Sequence, residues 1–225
     1  ASTPMYFLSK AITDMGIKVV LSGEGADEIF GGYLYFRNAP TVEDFQKETI
    51  ERVQKLFTAD LLRADKSTMA HGLEARVPFL DKAFLDMAVR IKPEEKMPKT
   101  YDGKEKYILR KAFDTPDNPY LPDEVLWRQK EQFSDGVGYN WIDQLIEYCS
   151  SQVTDEQLAG AEAEFPYNTP TTKEAYFYRS IFNKYYPQVS AAQTVRKWIP
   201  KWQENQDPSG RANAAHVQAD VEIAK

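Results

Sequence analysis

The feature that most constrains this chain is a five-residue run that meets a glycine turn. Ile17-Lys18-Val19-Val20-Leu21 is short, rich in β-branched residues and bounded by Gly16 and Gly23, which reads as a buried strand of parallel type. It runs directly into Ser22-Gly23-Glu24-Gly25-Ala26-Asp27-Glu28-Ile29-Phe30-Gly31-Gly32-Tyr33. Upstream, Ser2 and Thr3 before Pro4 read as a cap and a first-position proline, opening a helix over 4–15 that Gly16 stops. Helix, strand, glycine turn and helix in that order make an α/β unit. A lone parallel strand cannot satisfy its own backbone groups. Its neighbours are therefore expected elsewhere, in a sheet lying before Ala1, and the chain is expected to be the C-terminal part of a larger protein. An open edge at 17–21 would invite aggregation.

Beyond the turn the pattern is helical. Pro40 and Thr41 open a helix in which Val42, Phe45, Thr49, Ile50, Val53, Leu56 and Phe57 recur at helical spacing. Further helices are expected over 59–70 (stopped by Gly72), 79–91 (ended before Pro93), 104–113, 141–152 and 171–186. Residues 114–119 and 135–138 read as loops. Pro78 disfavours helix at Val77, so 76–79 should form an extended corner. Residues 205–225 have little to bury and are expected to form a disordered tail behind an ordered region over 1–204.

Composition removes whole classes of function. A single cysteine, Cys149, excludes a disulfide framework and a cysteine-based zinc cluster, and it reads as a packed thiol. Two histidines, His71 and His216, have no metal-ligand spacing. No apolar run reaches the roughly 18 residues of a membrane span, and with no secretory signal a cytoplasmic location is expected. With 28 Lys plus Arg against 34 Asp plus Glu, the chain carries a net charge of −6 and no long basic run, against broad nucleic-acid binding.

Three stretches carry chemistry. In the turn, Gly23 and Gly25 let a backbone approach a ligand closely, and Ser22 adds a hydroxyl. The helix beginning near Ala26 would point its positive end at that spot, where a phosphate could sit. Glu24, Asp27 and Glu28 make the turn acidic, which suits a phosphate bridged by Mg²⁺. The bland alternative, glycines for geometry and acids for the helix start, has equal weight on spacing alone. In the second stretch, Asp60 and Arg63 share a helix face, and Arg63 could clasp a carboxylate; an ordinary ion pair is the commoner meaning of that spacing. In the third, Trp127-Arg128-Gln129-Lys130-Glu131-Gln132-Phe133-Ser134-Asp135-Gly136-Val137-Gly138, Lys130 could offset phosphate or oxyanion charge, although most lysines simply face solvent.

Together with Phe165-Pro166-Tyr167-Asn168-Thr169-Pro170-Thr171 and the block 72–81, these stretches are what the chain shares with a known family. The sequence resembles the synthetase domain of glutamine-hydrolysing asparagine synthetases of the bacterial B type, nearly throughout residues 1–186 and again at 207–211. The resemblance implies an α/β fold, part of an adenine nucleotide alpha hydrolase-like (ATP-pyrophosphatase) domain that is mostly helical here. It implies ATP and Mg²⁺, adenylation of the aspartate side-chain carboxylate, and attack of ammonia on the β-aspartyl-AMP. By position, Ser22, Gly23 and Gly25 match ATP contacts, and Glu24 matches an acid assisting formation or amidation of the intermediate. Asp27 matches a Mg²⁺ ligand on the pyrophosphate side. Glu28, Asp60 and Arg63 match positions near aspartate, and Lys130 matches the lysine that neutralises charge in the adenylation transition state.

Two family elements are absent from these residues: the Ser-Gly-Gly-x-Asp-Ser pyrophosphate loop on the first strand, and the glutaminase domain with its N-terminal cysteine. The chain alone is therefore expected not to make asparagine; pyrophosphate release from aspartate and ATP would refute that. The resemblance also implies a homodimer in the full-length form, with neither nucleic acid nor membrane as partner. Two other readings stand beside it: a different adenylating amide-former such as a β-lactam synthetase, against which Glu24 speaks, and a non-catalytic binding module.

Overall fold

A computed structural model describes residues 1–136, 138 and 140–204. The expected tail over 205–225 lies outside them. The described residues form two compact units, Ala1–Gln132 with the residues from Trp198, and Phe133–Lys197. Helix predominates, beside a small two-stranded sheet.

The first unit opens with α1 (Ser2–Asp14) and β1 (Val19–Leu21), separated by Gly16 in the left-handed region at φ +83°. The helix starts two residues earlier than the Ser-Thr-Pro pattern suggests, with Ala1 at the cap and no side-chain cap bond. Pro4 is tolerated there because the first-turn N–H groups have no intrahelical acceptor in any case. The partner of β1 is β2 (Glu74–Arg76), parallel, pairing Val19 with Glu74, Val20 with Ala75 and Leu21 with Arg76. The Glu74 N–H donates to the Lys18 carbonyl at 2.9 Å, and the Ser22 N–H to the Arg76 carbonyl at 2.8 Å.

This corrects the expectation that every neighbour of the strand lies outside the chain. The strand over 74–76 was hidden because Glu and Ala are depleted in strands, and what pairs it is β1. Nor is β1 buried: Leu21 is 76 % exposed and Val19 39 %. Two strands cannot cover both faces of a sheet, and the apolar Tyr6, Phe7 and Leu8 of α1 are exposed too.

Between the strands lie α2 (Ala26–Phe30), a 3₁₀ turn over Leu34–Asn38, α3 (Val42–Lys55) and α4 (Asp60–Met69). Thr41 caps α3 as expected, accepting the Asp44 N–H at 3.1 Å. After β2 come α5 (Lys82–Arg90), α6 (Tyr107–Ala112) and α7 (Asp123–Leu126). The helix expected over 79–91 begins only at Lys82. Pro78–Leu80 is a 3₁₀ turn, and the Asp81 carboxylate caps α5 by accepting the Ala83 and Phe84 N–H groups, each at 3.0 Å.

Two apolar clusters hold this unit. Ile29, Phe30 and Ala88 pack with Phe79, Leu80 and Phe84, which fixes α2 against α5. Tyr35, Phe36, Phe45 and Met97 pack with Tyr33, Trp198 and Trp202. The acidic turn at the end of β1 is thus backed by aromatic rings, and its side chains gain defined positions.

The second unit contains α8 (Phe133–Gly136), α9 (Asn140–Ser151), α10 (Asp155–Ala159), α11 (Ala161–Glu164), α12 (Lys173–Tyr185) and α13 (Val189–Gln193). The loop expected at 135–138 is helical as far as Gly136; Val137 lies outside the described residues. Val153, Ala161, Phe165 and Tyr176 form the core, and Cys149 is fully buried, as a packed thiol should be.

Candidate active site

The turn after β1 is built by local bonds. The Ser22 hydroxyl oxygen accepts the Glu24 N–H at 3.3 Å. Gly25 has φ +93°, and a Cβ there would lie 2.5 Å from a Leu80 methyl, so backbone and packing both demand glycine. Gly32 is needed for a different reason: a Cβ would lie 2.0 Å from the Asp27 carboxylate. Gly23 differs from both, with no atom within 4 Å of its Cβ position. The fold does not require glycine at 23, which leaves open space over the turn.

Helix α2 spans only five residues, with Asp27 and Glu28 in its first turn. Its dipole is correspondingly small, so the positive charge at this spot comes from side chains, not from a long helix. Arg63, on α4, places its guanidinium 3.2 Å and 3.3 Å from the two Glu24 carboxylate oxygens and 3.3 Å from Asp60. Lys106 and Lys130 grip the two oxygens of Asp27, at 2.7 Å and 3.0 Å. Glu28 is 2 % exposed and accepts the Tyr33 hydroxyl.

Behind the lysines stands a second layer. Glu105 is 3 % exposed and accepts the Lys130 backbone N–H at 2.6 Å. The same carboxylate pairs with Arg37 at 2.9 Å and Arg110 at 3.4 Å. Residue 106 has φ +55°, unusual for lysine, at the start of α6.

The carboxylates are not equivalent. Burial raises Asp27, but Lys130 and Lys106 more than offset this and hold it below the ordinary aspartate value. Burial pushes Glu24 up, only partly countered by Arg63, and Asp60 and Asp27 add repulsion. Asp60 is raised for the same first cause, against the pull of Arg63. Glu28 is pushed up to about 7, chiefly by burial, with the Tyr33 hydroxyl opposing.

The nine residues singled out from sequence thus cluster at one place. Ser22, Gly23 and Gly25 form the turn; Glu24, Asp60 and Arg63 form one charge group; Asp27 and Lys130 form another; Glu28 lies next to Asp27 on α2. Lys106, Glu105 and Tyr33 were missed. Lys106 is 79 positions from Asp27, and a lysine before an apolar helix gives no signal of its own. Tyr33 stood at the end of the motif and was read only as its boundary.

Among the described residues, no three His, Cys, Asp or Glu side chains gather as a metal cage. Asp27 is the carboxylate held ionised, and Lys106 and Lys130 take up its two oxygens. Mg²⁺ is commonly held by one or two carboxylates together with substrate phosphates, so a cation at Asp27 would take over an oxygen that a lysine holds.

Comparison with known proteins adds an independent line. The asparagine synthase family profile matches residues 1–46 and 37–210. The chain is 58 % identical over 222 residues to a Dictyostelium discoideum protein named "Probable asparagine synthetase [glutamine-hydrolyzing]", covering 96 % of this chain and 40 % of that protein. It is 57 % identical over 223 residues to asparagine synthetase [glutamine-hydrolyzing] 1 of Saccharomyces cerevisiae, covering 96 % and 39 %. It is 55 % identical over 226 residues to the root asparagine synthetase [glutamine-hydrolyzing] of Pisum sativum, covering 94 % and 39 %. The chain therefore spans about 40 % of the length of these relatives.

Proposed function

The chain belongs to the asparagine synthase family, and from that premise we propose that residues 1–204 carry part of an asparagine-forming ligase site of the ATP-pyrophosphatase type. The observation that supports this most is the convergence of Glu24, Asp27, Glu28, Asp60, Arg63 and Lys130 on one glycine turn, paired by charge. The open apolar faces of α1 and β1 suit further strands of such a nucleotide domain.

In this reading the substrates are aspartate, ATP and ammonia, the last derived from glutamine. An oxygen of the aspartate side-chain carboxylate attacks the α-phosphorus of ATP. The bond from that phosphorus to the bridging oxygen breaks, and pyrophosphate leaves. Gly23 and Gly25 leave backbone room for the nucleotide, and Ser22 adds its hydroxyl. Lys130, with Lys106 beside it, offsets the charge that grows on the departing pyrophosphate. Asp27 holds Lys130 and Lys106 in place and would hold Mg²⁺ through an oxygen released by one of these lysines, adding charge neutralisation on the phosphates.

Glu28 and Asp60 suit the α-ammonium of aspartate, and Arg63 suits a carboxylate. Ammonia nitrogen then bonds to the side-chain carbonyl carbon of β-aspartyl-AMP, and AMP leaves with the C–O bond electrons. Glu24 takes the proton released from nitrogen. Its burial raises its proton affinity above that of an ordinary glutamate. The intact protein that contains this chain should catalyse ATP–pyrophosphate exchange dependent on aspartate. Exchange driven equally by a longer β-amino acid, or none with aspartate, would overturn the proposal.

A further inference from the structure

The strongest unassigned feature is how residues 198–202 reach the site. Three side chains, Arg52, Lys201 and Trp202, pin this segment. The Arg52 guanidinium stacks 4.4 Å from the Trp198 ring centroid and donates to the Ile199 carbonyl at 2.7 Å. Lys201 bridges Glu48 at 2.5 Å and Glu51 at 2.6 Å. Trp202 packs against Tyr35. Glu48 is fully buried and also binds Arg52 at 2.6 Å and the Tyr35 hydroxyl at 2.7 Å, so the clasp is tied into the core.

One ring of this clasp faces the site. Trp198 meets Tyr33 edge-on, with centroids 5.2 Å apart and planes at 66°. The hydroxyl of Tyr33 is the donor to buried Glu28. We infer that Trp198 is a positioning residue: it fixes the Tyr33 ring, and the Tyr33 hydroxyl in turn fixes the Glu28 carboxylate. Without that donor, Glu28 would be a buried carboxylate short of a partner and free to turn. That Glu28 faces aspartate rests on the reading above; the coupling from Trp198 to Glu28 does not.

The test is a double-mutant cycle read at the Glu28 side-chain carboxyl carbon by ¹³C NMR. Every variant is measured at the same pH, so that differences in the Glu28 resonance report hydrogen bonding. Tyr33→Phe should move the resonance. Trp198→Ala should move it in the same direction, and should add nothing in the Tyr33→Phe background. Trp198→Phe, which keeps a ring edge, should restore most of the native position, and Trp198→Leu serves if the alanine variant does not fold. A Trp198→Ala or Trp198→Leu variant that leaves the resonance unmoved, or that moves it equally in the Tyr33→Phe background, overturns the inference.

In the intact protein, Trp198→Ala should raise the aspartate KM about tenfold and the ATP KM by less than about twofold. Equal rises in both would mean a merely structural role and also overturn it. A wild-type protein without aspartate-dependent activity would overturn the proposed function instead, and the NMR cycle would still decide the coupling.

Discussion

Replacing Glu28 with glutamine should stabilise the protein at pH 8 and do little at pH 5. Glu28 is 2 % exposed, and its folded pKa of about 7 stands above the ordinary 4.5. Between those values the folded state keeps a proton that the unfolded state has released. The unfolded state then binds fewer protons, so stability falls as pH rises through this window. At pH 8 the full cost of ionising a buried carboxylate is present, about 3 kcal/mol for a shift of that size. At pH 5 most folded molecules carry the proton and less than about 1 kcal/mol remains. Glutamine keeps the shape and still accepts the Tyr33 hydroxyl, so its own packing effect should be alike at both pH values. Urea unfolding of wild type and Glu28→Gln at pH 5 and pH 8 gives the comparison. A stability gain of equal size at both pH values, or a loss at pH 8, would refute the burial argument. The same variant should lose aspartate binding, the exchange of stability for function common at ligand sites.

Three further outcomes follow from the geometry. Gly25→Ala should destabilise the fold by roughly 1–3 kcal/mol, because it meets both a left-handed backbone and Leu80. Gly23→Ala should leave the unfolding midpoint unchanged yet weaken ATP binding measured by calorimetry, since the fold leaves open space there. Lys130→Ala should lower the aspartate-dependent exchange rate about a hundredfold and change the ATP KM only a few-fold, because the charge it offsets grows in the transition state; a pure loss of ATP affinity would contradict that role.

What the sequence made legible has a physical pattern. Local signals worked where one residue decides the outcome: Gly16 and Gly72 end helices in left-handed conformations, and Thr41 caps α3. The acidic turn could be read as a candidate site because its residues lie within a few positions of one another, and Asp60 with Arg63 as a pair because they share a helix face. What stayed hidden depended on distance along the chain. β2 is extended by pairing with β1, and no propensity of Glu74 or Arg76 announces it. Lys106 and Glu105 reach the acidic turn and Lys130, and Trp198 reaches Tyr33, through tertiary packing alone. The helix expected after Gly25 does begin at Ala26, but it stops at Phe30, and the two lysines that join it at Asp27 come from far along the chain.

The most direct test of the central claim is oxygen transfer. Aspartate labelled with ¹⁸O in its side-chain carboxylate is turned over with ATP and ammonia by the intact protein, and the products are analysed by mass spectrometry. Adenylation requires the C–O bond of the intermediate to break on ammonia attack, so one ¹⁸O should appear in the phosphate of AMP and none in pyrophosphate. Asparagine formed with unlabelled AMP, or label in pyrophosphate or inorganic phosphate, would contradict the account.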